Sequence, residues 1–297
     1  MSSLMPLRRR IKVIKSTKKL TQAMSLVAIA SHSKHKDGYG AAMFHRQTTE
    51  KIFSYLLGLH KKWHNPIIAV ETNKTTASPF VVIMSPVRGM CGSFKNNLVR
   101  NATKNLKFPY YQTPSFVTIG PRAIQIAKES IQEGKEVRKP KIIHHFETLS
   151  IEQGPDVARL ISNSIYKSDT KFSKIICLGS TFNNLFSQTP KIQTIFPVER
   201  VSKPLSDEKT SEELKNEKYI WEQDKDKVLN EVAKNYLEIS LSLAICESLF
   251  SENAARFVAM DAATSNAEKH LETMSLEYNK LRQTKITQEV AELSSAR

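Results

Sequence analysis

The chain has 297 residues, 40% hydrophobic and 8% aromatic. That is enough apolar material for a core, which excludes global disorder. It carries 44 Lys and Arg against 29 Asp and Glu, a formal charge of +15, which favours an anionic partner: nucleic acid, an anionic membrane surface or an acidic protein face. Three scattered cysteines, Cys91, Cys177 and Cys246, lack metal-ligand spacing; their odd number argues against a disulfide framework, and they read as buried or free thiols in a reducing compartment.

No apolar run approaches the ~20 residues that a bilayer span needs, so any membrane association is expected to be indirect. The basic N-terminus is not followed by an apolar signal core. Nine Lys or Arg and no acid lie between Met1 and Lys36. A transit peptide shares that composition, but the stretch reads as a working helix. Pro6 suits a first helical turn, and no Gly or Pro follows until Gly38. Val13, Thr17, Leu20, Met24, Val27 and Ser31 alternate by four and three, which predicts a coiled-coil-like seam. Asp37-Gly38-Tyr39-Gly40 is expected to interrupt or kink the helix. The helical pattern then resumes through Phe44, Ile52, Tyr55, Leu56 and Leu59 and is expected to end near Asn65-Pro66.

From about Ala77 to Pro204 the period changes. Short β-forming runs at 80–84, 115–120 and 174–179, with a fourth at 192–198, alternate with helical stretches near 96–104, 122–129 and 151–166. Strands alternating with helices predict βαβ units and a largely parallel sheet. His144-His145 reads as a loop or edge-strand pair rather than as ligands. Gly89 and Gly92 follow the first strand and could form a phosphate nest, but they lack the full dinucleotide fingerprint and the phosphate-loop Lys-Thr. A tight turn is the expected role.

After Pro204 neither Gly nor Pro occurs. Residues 205–223 form a charged linker, and residues 224–297 read as one helix of about 70 residues, roughly 105 Å long at 1.5 Å per residue. Its seam runs through Leu237, Leu241, Ala244, Ser248, Ser251, Ala255, Val258 and Ala262, shifts through Thr264, Ala267, Leu271, Met274, Tyr278 and Leu281, and ends with Ile286, Val290 and Leu293. So long a helix must pack on another long helix or inside a partner. The expected architecture is mixed α+β and α/β. An antiparallel two-helix coiled coil is built from residues 1–65 and 224–297, and a Rossmann-like α/β domain is inserted at 75–204. Beyond about Leu281 the helix outruns its partner and would need a sleeve.

Residues 10–24, RIKVIKSTKKLTQAM, followed by Val27-Ala28, resemble the opening helix of F-type ATP synthase gamma chains. Residues 247–267, ESLFSENAARFVAMDAATSNA, resemble the family's closing signature. Tyr278-Asn279, Arg282-Gln283, Ile286-Thr287 and Glu289 match its tail, and Arg88-Gly89-Met90-Cys91-Gly92 is similar to its RGLCG loop. These segments occur in the family's order across nearly the whole chain. The resemblance implies a central rotor shaft with no catalytic residues, cofactor, metal or direct nucleotide binding of its own. It would stand in a ring of alpha and beta chains, with its foot against a membrane c-type ring and an epsilon-like chain. There it would couple ion flow to ATP synthesis or hydrolysis. Such a complex lies on an inner membrane, on the cytoplasmic side in a bacterium or the matrix side in a mitochondrion. Partner-binding residues implied by the resemblance are Arg8, Arg9, Lys12, Lys18, Thr21, Gln22 and Met24 in the first helix, Arg88, Gly89, Cys91 and Gly92 in the loop, and Arg256, Arg282, Gln283 and Thr287 in the last helix.

The chain departs from the family at three places. Pro86-Val87 stands where relatives carry Ser-Asp, Ser25 stands where many carry Lys, and the 32–40 stretch carries two glycines. The composition admits two other classes of function. A basic nucleic-acid-binding coiled coil would bind with steep salt dependence, but no aromatic RNA-binding signature or helix-turn-helix pattern is present. A stand-alone α/β enzyme would need a catalytic cluster at its strand ends, and the sequence offers none.

Overall fold

The structure, a computed structural model, describes residues 4–60, 63–69, 77–109, 112–131, 139–168, 170–198 and 222–295. The chain forms two compact units: one of Met1–Ser33, Met90–Gly92 and Asn253–Arg297, the other of Lys34–Gly89 and Ser93–Glu252. The elements in chain order are α1 (Leu4–Leu59), β1 (Phe80–Met84), α2 (Phe94–Asn105), β2 (Ser115–Ile119), α3 (Ala123–Ser130), β3 (Lys141–Phe146), α4 (Gly154–Tyr166), β4 (Ile175–Asn184), β5 (Ser187–Phe196) and α5 (Lys225–Ser295). The linker expected at 205–223 lies outside the described residues except for its last two positions.

The second unit is organised around a five-stranded mixed sheet in the order β3-β2-β1-β4-β5. The first four strands pair in parallel, while β4 and β5 form an antiparallel hairpin. β1 and β2 are buried along their whole length, as continuous apolar runs must be when both faces are covered. Successive side chains point to opposite faces. Phe80, Val82 and Met84 join a core with Phe53 of α1, Ile161 and Ile165 of α4, and Leu237, Leu241 and Ile245 of α5. Val81 and Ile83 join a second core with Leu98 and Ala102 of α2 and Ile126 of α3. Each such aliphatic side chain contributes about 1.5–3 kcal/mol on burial. The short 3-10 turn Ile151–Gln153 that leads into α4 opens with a capping box in which the Gln153 side chain accepts from the Ser150 backbone N–H at 3.0 Å. This reciprocal bond closes two otherwise orphaned donors.

Of the two readings open for His144-His145, loop or edge strand, the structure takes the second, in β3. It is an edge strand of mixed exposure with a bulge opposite Phe116/Val117, so the burial-driven apolar run that betrays β1 and β2 is missing. Both of its histidines bond within the unit. The His144 Nε2 lies 2.9 Å from Ser164 Oγ, and the His145 Nδ1 lies 2.9 Å from Thr118 Oγ1.

The expected break at Asp37–Gly40 is corrected: α1 is one helix from Leu4 to Leu59. It also stops at Leu59, short of Asn65-Pro66. Tertiary packing carries the helix through the glycines. Tyr39 stacks on Phe250 at 5.0 Å and meets the edge of Phe182 at 6.3 Å, while Phe182 and Phe250 lie 4.7 Å apart. The Tyr39 hydroxyl donates to Glu247 Oε1 at 3.0 Å. Gly38 and Gly40 face open space, with nothing within 4 Å of an added Cβ. Each glycine therefore only costs the helix about 1 kcal/mol of backbone entropy relative to Ala. Gly38→Ala and Gly40→Ala are each expected to stabilise the chain by about 0.5–1 kcal/mol, measured by urea denaturation; a loss of stability at both would contradict the open-face placement.

Burial pushes the Tyr39 phenol well above its ordinary value, and the Glu247 charge and hydrogen bond push it further. The folded chain therefore keeps a proton that the unfolded chain releases from about pH 10. The stabilisation is complete below that pH and is lost as the solution becomes more alkaline. Tyr166, raised by burial and by Glu231 and Glu238, adds in the same direction. Between about pH 10 and about pH 11.5, stability should fall less steeply in Tyr39→Phe than in the native chain; equal slopes would remove Tyr39 from the account.

Candidate partner-binding surfaces

The first unit brings the opening segment of α1 together with the last part of α5. Asn253 Nδ2 donates to Ser31 Oγ at 3.2 Å, Thr264 Oγ1 to Thr21 Oγ1 at 2.7 Å, and Lys18 Nζ pairs with Glu268 Oε1 at 2.6 Å. Residue numbers fall along α5 as they rise along α1. The face of α1 turned inward differs from the expected one. Val13, Leu20 and Val27 are 64%, 55% and 66% exposed, whereas Leu7, Thr21, Ser25, Ala28 and His32 are buried and Met24 half-buried. Small and hydroxyl-bearing residues let two backbones approach closely and bond across, which larger aliphatics at the same positions would prevent. In the sheet-bearing unit the same correction applies to Phe44 and Ile52, which are exposed, while Thr49, Phe53 and Leu57 are buried.

Along α5, Leu237, Leu241, Ser248, Ser251 and Ala255 are buried, as the periodicity predicts. Ala262 is exposed; the stripe passes through Met260 instead and continues through Thr264, Ala267, Leu271, Met274, Tyr278 and Leu281. From 282 to 295 every residue is exposed. Ile286, Val290 and Leu293 are 48%, 60% and 74% exposed, and their spacing of four and three puts them on one face.

These placements sort the implied contact residues. Arg8, Arg9, Lys12 and Gln22 on α1 and Arg282, Gln283 and Thr287 on α5 are exposed. Lys18 is paired with Glu268, and Thr21 is buried against Thr264. Arg256 is also buried, with its Nη1 donating to Asn253 Oδ1 at 2.7 Å. The exposed apolar row Val13-Leu20-Val27, flanked by these cations, was missed by periodicity because the same spacing is expected of an inward seam.

In the loop after β1, Arg88, Gly89 and Gly92 are exposed and Cys91 is buried. Met90 and Gly92 have left-handed backbone, with φ of 62° and 58°. At Gly92 an added Cβ would also meet Ala259 Cβ at 3.2 Å, so glycine is favoured there on two counts. Gly89 has open space. The loop has no acid of its own, yet a carboxylate holds it. The Val87 and Arg88 backbone N–H groups donate to Glu252 Oε2 and Oε1 at 2.8 and 3.0 Å. Glu252 lies within the closing signature, but nothing in its spacing marks it as the loop's partner.

Burial pushes the Cys177 thiol up to about 12 and also raises that of Cys246, so neither is a ready nucleophile. No helix among the described residues is long and apolar enough to cross a membrane. Among the same residues no three His, Cys, Asp or Glu side chains are grouped to hold a metal.

The same fold occurs in solved chains of mitochondrial ATP synthases. A chain of the Euglena gracilis mitochondrial ATP synthase rotor superposes with a TM-score of 0.57 at 15% identity, covering 95% of this chain and 98% of that one. A chain of the Tetrahymena thermophila mitochondrial ATP synthase central stalk and c-ring gives 0.52 at 17% identity over 82% and 99%. A family model described as ATP synthase matches residues 3–297, and the chain belongs to that family. Relatives named ATP synthase gamma chain include those of Desulforudis audaxviator, 28% identical over 99% of this chain and 97% of the relative, and Baumannia cicadellinicola, 29% identical over 99% and 98%.

Proposed function

We propose that this chain is the central-stalk gamma subunit of an F-type ATP synthase, transmitting rotation between a membrane ion-driven ring and a ring of alpha and beta chains. The observation that carries this reading is the match to gamma chains over residues 3–297 and over 99% of the chain. α1 and α5 act as an antiparallel coiled-coil shaft, and the sheet-bearing part is a Rossmann-like foot facing the c-type ring and an epsilon-like chain. The shaft performs no bond chemistry. It biases each catalytic site because its uneven surface touches the open and closed forms differently. The cationic collar of Arg8, Arg9 and Lys12, the row Val13-Leu20-Val27 and the tip with Ile286, Val290 and Leu293 form the surface presented to the ring. Arg88 and Gly89 form a contact at the foot. The complex is peripheral on its side of the membrane. The nucleic-acid reading opened by the net charge has no support in the fold or the family.

Reconstitution tests the reading. Purified alpha and beta chains of the cognate enzyme should hydrolyse ATP many-fold faster with this chain than without it. Equal rates with and without it would reject the assignment.

A further inference from the structure

Helix α5 meets the sheet where a parallel fold ordinarily takes a ligand. β1 lies between β2 and β4 and is parallel to both, so the strand order reverses between β1 and β4. Ligands of open α/β sheets sit at the carboxyl ends of the strands at such a switch point, with anions held by free backbone N–H groups. Here the chain supplies its own anions. Glu252, 4% exposed, accepts the Val87 and Arg88 N–H groups beyond β1, one on each carboxylate oxygen. Glu247, on the same helix, accepts the Phe182 N–H near the end of β4 at 3.2 Å, together with the Tyr39 hydroxyl. Both neighbouring strand ends are thereby tied to one helix by carboxylates. A phosphate entering the crevice would have to displace Glu252.

We propose that Glu252 is a positioning residue: its carboxylate clamps the 87–89 backbone to α5, so that the Arg88-Gly89 turn moves with the shaft helix as one body. A carboxylate bonded through both oxygens to consecutive N–H groups is a short, charge-assisted link. It restrains the backbone whatever side chains the loop carries, which suits a loop whose own acid is replaced by Pro86-Val87. Gln at 252 keeps the size but offers one acceptor oxygen and one amide donor facing the second N–H, so one of the two bonds is lost and the other weakened.

Two measurements test this. The first is hydrogen exchange of the Val87 and Arg88 amides in the isolated full-length chain. In the native chain both should exchange at least about 100-fold more slowly than in an unstructured peptide. Glu252→Gln should accelerate them at least tenfold while the amides of β1 stay protected. Unprotected native amides, or unchanged exchange in Glu252→Gln, overturn the clamp, and the native measurement decides even if a variant fails to fold. The second rests on the central-stalk reading and uses the complete enzyme in sealed vesicles. Glu252→Gln should lower the ratio of ions pumped to ATP hydrolysed at least twofold at a temperature where the variant chain is still folded. The exposed control Glu272→Gln should not alter the ratio. An unaltered ratio in Glu252→Gln overturns the claim that turn and shaft must move together. A native chain that fails to assemble indicts the central-stalk reading instead, and leaves the exchange result to decide the clamp.

Discussion

Replacing Ile286 and Val290 together by Asp should abolish stable assembly with alpha and beta chains while leaving the melting temperature of the isolated chain unchanged. The two residues are 48% and 60% exposed, and every residue from 282 to 295 is exposed. They therefore contribute almost nothing to the chain's own core. If a sleeve of partner chains covers them, each contributes about 1.5–3 kcal/mol of burial to the complex. Losing two, and confronting an apolar sleeve with two carboxylates, corresponds to a fall in affinity of about two to four orders of magnitude. Co-purification and stimulated ATP hydrolysis both read this out. Unimpaired assembly would mean that the tip is not gripped, and a fall in the melting temperature of the isolated chain would mean that it packs on the chain itself.

Phe53→Ala should destabilise the isolated chain by about 3–5 kcal/mol. Phe53 is fully buried where α1 meets the sheet and the start of α5. Its ring stacks on Tyr236 at 5.5 Å and meets the edges of Trp63 and Phe196 at 5.9 and 6.1 Å. Truncation removes three aromatic contacts at once and leaves a cavity that rigid neighbours cannot fill. The adjacent Ile52 points outward, so Ile52→Ala should change stability by no more than about 0.5 kcal/mol. Urea denaturation of the two variants side by side checks the contrast. Similar losses at both positions would mean that this turn of α1 is oriented differently.

Much of the fold could be read from local composition. The runs at 80–84 and 115–119 are strands because fully buried parallel strands carry uninterrupted apolar residues. The stretch from 225 to 295 is a helix because no Gly or Pro interrupts it and its apolar residues recur by three and four. β3 was legible only as an alternative to a loop at His144-His145, because an edge strand with a bulge and two histidines has no such run. Two glycines in four residues looked like a helix break, and the aromatic contacts of Tyr39 outweighed their cost. Of the candidate contact surface, the cations of α1 and the α5 tip were legible, because charge and the end of a helix partner are local properties. The Glu252 clamp was not, since its donors lie 164 and 165 residues away in the sequence.

By itself, the order of amino acids determined the type of almost every element and, through its motifs, the family. Those depend on periodicity and on residue identity at short spacing. Only the tertiary structure decided which face of α1 turns inward. Val13, Leu20 and Val27 have the spacing of a seam, yet Thr21, Ser25 and Ala28 take it. Helical periodicity defines a stripe but not what lies opposite. Thr21 finds its hydrogen-bond partner at Thr264, 243 residues along the chain, and a close approach of that kind favours small and hydroxyl-bearing side chains over larger aliphatic ones.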